Sequence, residues 1–418
     1  MTSGLHIRGF TLYNGVSQNT HPEQGITYTQ TEVTMNRIIY IGMDVHNESY
    51  SLNARLTGYY DGINRIKDQV VCERQVTADP RNIVRFIESV RKLFPANADL
   101  TFICGYEAGG LGFSLQRALA AKGIECRVIA PTTLPTQKGK KCIKTDRIDA
   151  QVIAKAMSDD NISYVYVPTK EDEATVSYIR ARDDHRDQLK KVKQQIIGFC
   201  NKHGYHYDPS KAKWTQIYMK WLLSLEFEGL DIETMSEYMD SYYRISEKLE
   251  RMDQRIEEIA EGERYREMVK RLCCIKGIKT YTAMALISEV SDFRRFGKAP
   301  QFAAFLGLVP GQHTTGSDQN FLPITKAGNR HLRTLLIEAA QAACQGHLGY
   351  KSKALKARQN GESQEVIAYA DKCSRRVYTK YKRLMERGKT KNIAIVAAAR
   401  EFAEFIWGMA TGKLMPAA

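Results

Sequence analysis

Arg37-Ile38-Ile39-Tyr40-Ile41-Gly42-Met43-Asp44-Val45 decides the fold. A near-continuous apolar run closed by an acid is what a strand covered on both faces requires. Working outward, residues 49–56 and 69–77 read as two more strands, which together give a meander. An amphipathic helix over 82–93 follows, then a fourth strand at 100–106. A helix over 111–122 stops at Gly123, a residue suited to a helix C-terminus, and residues 124–130 form a fifth strand ended by Pro131. Another helix opens near Thr145. The order βββαβαβα predicts a mixed α/β domain over residues 36–168.

The rest of the chain has a different texture. Residues 1–35 are polar, rich in Gly, Thr and Gln, and read as disordered or as an upstream extension, with Met35 a candidate alternative start. Residues 169–265 are charge-rich and helical. Tyr242, Ile245, Leu249, Met252, Ile256 and Ile259 step by three and four, a narrow seam that favours a coiled coil. Two partners suit that seam: a second helix of the same chain over 174–202, or another copy. Residues 266–418 read as mainly helical, with an irregular Gly/Pro-rich segment from 307 to 328. The fold class is therefore α/β followed by all-α.

Charge narrows the function. Against 61 Lys and Arg stand 47 Asp and Glu, a net +14, in a chain of 418 residues with 43% hydrophobic and 26% charged side chains. That composition is ordinary for a folded protein, and the positive balance calls for a polyanionic partner. No uninterrupted apolar stretch reaches the ~18 residues of a membrane span; the best candidate, 393–407, is broken by Arg400, Glu401 and Glu404. Nine scattered cysteines without a CxxC pair read as reduced cytoplasmic thiols.

Four acids carry the chemistry. Asp44 ends the first buried strand and Glu107 the fourth, just before Gly109-Gly110. Asp146 and Asp149 lie three apart in Lys144-Thr145-Asp146-Arg147-Ile148-Asp149-Ala150 and share one helix face. Strand ends and helix starts converge on one edge of an open α/β sheet, so all four carboxylates can meet there. Gathered acids repel unless cations neutralise them, and oxygen ligands suit Mg²⁺ or Mn²⁺. The plain alternative is that Asp146 and Asp149 only start a helix. Lys138, Lys140, Lys141, Lys144 and Arg147 cluster beside the pair as a phosphate-binding edge would.

These motifs resemble a known family. Asp44 in YIGMDVH, Glu107 in YEAGG and the pair in KTDRIDA are similar to the acidic tetrad of the IS one-ten family of insertion-sequence transposases, relatives of the Piv-type DNA invertases. The resemblance implies a RuvC-like, RNase H-like first domain, a coiled-coil insertion and a C-terminal transposase domain. It further implies Mg²⁺-dependent DNA recombination, double-stranded donor and target DNA, a structured bridge RNA that pairs with both, and a homo-oligomer, dimer or tetramer. A cytoplasmic, nucleoid-associated bacterial protein follows. In the family, a serine before a glycine attacks DNA. Here Thr315 stands at that position in Gly311-Gln312-His313-Thr314-Thr315-Gly316-Ser317, with Ser317 as its rival; loss of strand transfer is the third option.

Around this segment Lys326, Asn329, Arg330 and Arg333 are candidates to hold a phosphate, and Lys276 and Lys279 flank a helix–hairpin–helix-like turn at Gly277. Between 351 and 391, thirteen Lys/Arg oppose four Asp/Glu, with Tyr369, Tyr378 and Tyr381 interleaved. Arg375, Arg376, Lys380, Lys382 and Arg383 are the candidate nucleic-acid contacts there. Two further readings stay open: a structure-selective RuvC-like endonuclease that needs only the acids, and a non-catalytic nucleic-acid-binding derivative.

Overall fold

The computed structural model describes residues 12–19, 28–35, 37–60, 65–66, 68–135, 145–315 and 318–414. Contacts divide the chain into two compact units, Met1–Val167 and Pro168–Ala418.

Unit 1 opens with an antiparallel pair, β1 (Leu12–Asn19) and β2 (Tyr28–Met35), in the stretch whose composition reads as lacking periodicity. Its core is a five-stranded mixed sheet. β3 (Arg37–Val45), β4 (Ser49–Leu56) and β7 (Gln69–Thr77) form the expected antiparallel meander; a two-residue ribbon, β5 (Tyr59–Tyr60) with β6 (Arg65–Ile66), is inserted before β7. β8 (Leu100–Glu107) and β9 (Glu125–Ile129) add on in parallel, giving the order β7-β4-β3-β8-β9.

Alternation along β3 explains why its run is apolar throughout. Ile39, Ile41 and Met43 face a core completed by Phe86 and Val90 of α1 (Pro80–Arg91) and by Leu115 and Leu119 of α2 (Ser114–Ala120). Ile38 and Tyr40 face the other way, toward Ile153 and Met157 of α3 (Asp146–Ser158). Gly42 belongs to that second face. A Cβ there would lie 2.2 Å from the Ala150 carbonyl oxygen and 2.4 Å from the Ala154 amide nitrogen, so α3 rests directly on the strand backbone.

Unit 2 is helical. α4 (Lys170–Lys202) and α6 (Leu230–Ala260) run as an antiparallel pair, with α5 (Gln216–Leu223) packed at one end in an aromatic cluster around Phe199, Tyr218 and Trp214. Leu249, Met252 and Ile256 of the heptad seam are buried, and the Arg182 guanidinium of α4 meets Asp253 of α6 at 2.8 Å. The same-chain partner is the one the structure provides for the seam.

α7 (Arg266–Cys273) and α8 (Thr280–Val290) are joined through Gly277, whose φ of +100° disfavours side-chain-bearing residues. α9 (Ala299–Phe305) leads into a second hairpin, β10 (Pro310–Thr315) with β11 (Asp318–Ile324). That hairpin corrects the reading of 307–328 as irregular. Two residues of Gly-Ser type between strands are a hairpin signal that outweighs the Gly/Pro content.

α10 (Arg330–Ala343), α11 (Lys353–Gln359), α12 (Gln364–Glu386) and α13 (Lys391–Thr411) complete the unit. The broken apolar segment near the C-terminus is α13, which buries Phe402, Ile406 and Met409 in the largest core. Its acid Glu401 is buried against Arg376 at 2.7 Å and Lys380 at 3.3 Å. Among the described residues no helix is long and apolar enough to cross a membrane.

Replacing Gly42 with Ala should force α3 off β3 and destabilise unit 1 by roughly 1–3 kcal/mol or more. Gly110→Ala, where an added Cβ meets nothing within 4 Å, should stay within about 0.5 kcal/mol of the parent. Denaturant titration of both variants measures the difference.

Candidate active site

The close seat of α3 positions the acids. On β3 the residues facing α3 are even-numbered, so Asp44 follows Gly42 on that face at the strand end. On β8, Gly105 faces Met157 of α3, and Glu107 follows it. The parallel ladder pairs Gly42 with Gly105 and Met43 with Tyr106. Glu107 therefore stands beside Asp44 across the ladder and on the same face. The Thr145 hydroxyl caps α3 by accepting from the Ile148 amide, and Asp146 and Asp149 occupy its first turn, where the helix dipole favours negative charge.

The side chains converge only in part. Asp44, Asp146 and His46 bring one ligand atom each to within 4.8 Å of one another. The His46 Nε2 lies 3.3 Å from Asp44 Oδ2 and 3.8 Å from Asp146 Oδ1. The Glu107 carboxylate is exposed and falls outside this group. Burial, joined by repulsion from Asp146 and Asp149, raises the Asp44 carboxyl above its ordinary range, and His46 partly offsets the rise. Two oxygens and a nitrogen held this closely, around a carboxylate whose charge its surroundings disfavour, form a donor set that a divalent cation fits.

His46 was not among the sequence candidates, although Asp-x-His places both side chains on one face of an extended chain. Next to this group, Glu73 of β7 accepts hydrogen bonds from Asn53 at 2.6 Å and from Gln151, and Arg147 Nε donates to it at 2.7 Å. Arg147 thus reaches back to the sheet, while most of its side chain remains exposed. Lys138, Lys140, Lys141 and Lys144 lie outside the described residues.

In unit 2, β10 and β11 pair Thr315 with Asp318, so Thr315 closes the hairpin at its tip. Ser317 lies outside the described residues. Beyond β11 the side-chain assignments separate. Lys326 and Arg330 are exposed. Asn329 is occupied: its oxygen caps α10 through the Leu332 amide at 3.0 Å, and its amide donates to Glu289. Arg333 donates to the Leu306 carbonyl at 3.0 Å. Lys276 donates to the Gln345 carbonyl at 2.7 Å, and Lys279 is exposed at the start of α8.

In α12, Arg376 and Lys380 serve Glu401, Lys382 stands 5.7 Å from the Tyr378 ring centroid, and Arg375 and Arg383 are exposed. Tyr369 is a correction. It is buried against Phe405 and is part of the core, so it offers no face for stacking.

The start of α10 is held by an ion cluster that no sequence motif announced. His331 lies between two carboxylates, Nε2 at 2.7 Å from the part-buried Asp183 of α4 and Nδ1 at 2.6 Å from the shielded Glu289 of α8. Arg180 of α4 adds a contact to Glu289 at 3.3 Å. Although burial opposes charge here, the two carboxylates push the His331 pKa up to about 9 from an ordinary 6.5. The folded state thus keeps a proton that the unfolded chain releases near 6.5. This stabilisation is full below about 6.5 and lost above about 9. The thermal midpoint of unit 2 should therefore fall as pH rises through that window, and His331→Gln should flatten the slope; calorimetry across pH tests it.

Known proteins match both units. Residues 269–356 match the profile described as Transposase IS116/IS110/IS902 family, and residues 63–203 match a DEDD transposase profile of IS110 elements. The chain is 33% identical over 368 residues to the transposase for insertion sequence element IS1533 of Leptospira borgpetersenii, covering 85% of this chain and 99% of that one. It is 32% identical over 336 residues to the protein y4qE of Sinorhizobium fredii (strain NBRC 101917 / NGR234), covering 80% and 81%. It is 28% identical over 236 residues to the transposase for insertion sequence element IS1111A of Coxiella burnetii (strain RSA 493 / Nine Mile phase I), covering 56% and 64%. With likeness running through both units at these identities, the chain belongs to the IS110/IS116/IS902 family of insertion-sequence transposases.

Proposed function

We propose that this transposase cuts and rejoins DNA with two chemical centres, an acidic one on an RNase H-like unit 1 and a hydroxyl at the tip of the β10–β11 hairpin. The observation that carries the reading is the meeting of Asp44, His46 and Asp146 at a strand end where Glu107 and Asp149 are neighbours. Asp44, Glu107, Asp146 and Asp149 would hold the metal. Mg²⁺ or Mn²⁺ bound there supplies positive charge against the negative charge that develops on the scissile phosphate.

Thr315 or Ser317 attacks the phosphorus. The hydroxyl gives up its proton as its O–P bond forms, one strand O–P bond breaks, and the departing strand oxygen takes up a proton in exchange. Attack by another strand end reverses the step, so the phosphodiester energy is kept for rejoining. The β-methyl of Thr315 restricts its rotamer, whereas Ser317 carries no such branch. Lys326 and Arg330, exposed beside the hairpin, are suited to hold the phosphate.

The partners in this reading are donor and target duplexes, a structured bridge RNA whose base pairing reads sequence while the protein reads duplex shape, and further copies of the chain. The net +14 supports salt-dependent attraction to such polyanions.

Asp44→Asn and Glu107→Gln should each lower cleavage of element-end DNA by about a hundredfold or more. Mn²⁺ should raise the thermal midpoint of the parent but not of the double variant. A denaturing gel after reaction with a nicked substrate should show a covalent protein–DNA adduct that disappears in Thr315→Ala or in Ser317→Ala. Cleavage without an adduct in the parent would leave a hydrolytic endonuclease in its place.

A further inference from the structure

A cavity of about 160 Å³ opens in unit 2 between the α7–α8 turn, the segment after α10 and the face of α12. Lys276, His347, Tyr350, Lys351, Arg375 and Tyr378 line it. Its wall combines aromatic rings and unevenly satisfied cations. Tyr350 is 65% exposed, far from the buried state of a core ring.

The charges divide clearly. Lys351 is satisfied, with Nζ 2.6 Å from Asp371 Oδ2 and 2.7 Å from Gln359 Oε1. Asp371 is the acid on the wall, and that pairing neutralises it. Lys276 donates one of its three ammonium hydrogens, to the Gln345 carbonyl, which leaves two for a ligand. Arg375 is exposed at the rim. The lining therefore keeps a positive excess, which suits an anion.

Size selects the ligand. Sites for drug-sized molecules or cofactors run to roughly 300–1,000 Å³, so this cavity suits one flat ring. A ring-sized slot with tyrosines to stack on and cations to meet a phosphate fits a single nucleotide. A base inside an intact duplex cannot enter, because its faces are covered by its neighbours.

We propose that this cavity receives one unpaired nucleotide of the nucleic acid on which the transposase acts, its base stacked on Tyr350 and Tyr378 and its phosphate held by Lys276 and Arg375. The inference rests on the reading of the chain as a DNA-acting transposase, and the unpaired nucleotide can belong to DNA or to RNA.

The test measures binding of the full chain by fluorescence anisotropy, without divalent cation so that the acidic centre is not engaged. The probes are a DNA duplex with a single 2-aminopurine bulge, an RNA duplex with the same bulge, and the fully paired duplex of each. Preference for one or both bulged probes by about tenfold, with quenched 2-aminopurine emission, is the expected result; the probe preferred identifies the source. Tyr350→Ala, at an exposed position, should remove that preference while leaving affinity for paired duplex within about threefold, and Tyr350→Phe should restore it. Equal affinity for bulged and paired probes, or a preference that survives Tyr350→Ala, overturns the cavity assignment and leaves the transposase reading intact. Failure to bind any of the four probes overturns both.

Discussion

The contact on which unit 1 depends is backbone against backbone: the carbonyl of Ala150 over the bare Cα of Gly42. It sets the height of α3 above the sheet, and the first turn of α3 then has little choice of position. Asp146 is brought to the end of β3 because its helix cannot sit elsewhere. Gly105 on β8 makes room for a side chain of the same helix, since a Cβ there would strike the sulfur of Met157. Close packing thus delivers the carboxylates to a spot they would avoid on electrostatic grounds alone, and the raised Asp44 pKa records the resistance.

Most of this sheet was legible in the sequence. Strands at 37–45, 49–56 and 69–77 appear with those bounds: the first is covered on both faces and apolar at nearly every position, the second alternates polar with apolar residues, and the third is an exposed edge strand marked by Val70, Val71 and Val76. Legibility failed where structure depends on a short turn or on distant partners. The β10–β11 hairpin was hidden by Gly and Pro, which punctuate strands as well as loops. Tyr369 looked available because its neighbours are cationic, yet its helix turns that position toward Phe405. His46 carried a local signal that went unread. The pairing of His331 with Asp183 and Glu289 carried none, since its members lie on three separate helices.

Unit 2 handles charge by enclosure. Glu289, Glu401 and Asp172 are all shielded from water, and each is met by cations or donors: His331 and Arg180, Arg376 and Lys380, Arg264 and the Tyr265 hydroxyl. Removing one partner from such a group costs more than the pair contributes, because the remaining charge is stranded. Two of the basic residues that first look like nucleic-acid contacts, Arg376 and Lys380, are committed to this internal task. The cationic surface left free is correspondingly smaller than the net charge suggests.

α13 has a consequence for how the molecule is made. It supplies Phe402, Ile406 and Met409 to the main core of unit 2, yet it begins only at Lys391. During synthesis the nascent chain exposes the sheet of unit 1 in full long before that helix leaves the ribosome. Unit 1 can therefore fold early, whereas unit 2 must wait with its apolar surfaces uncovered, which makes it the step at which chaperones and proteases have the longest access.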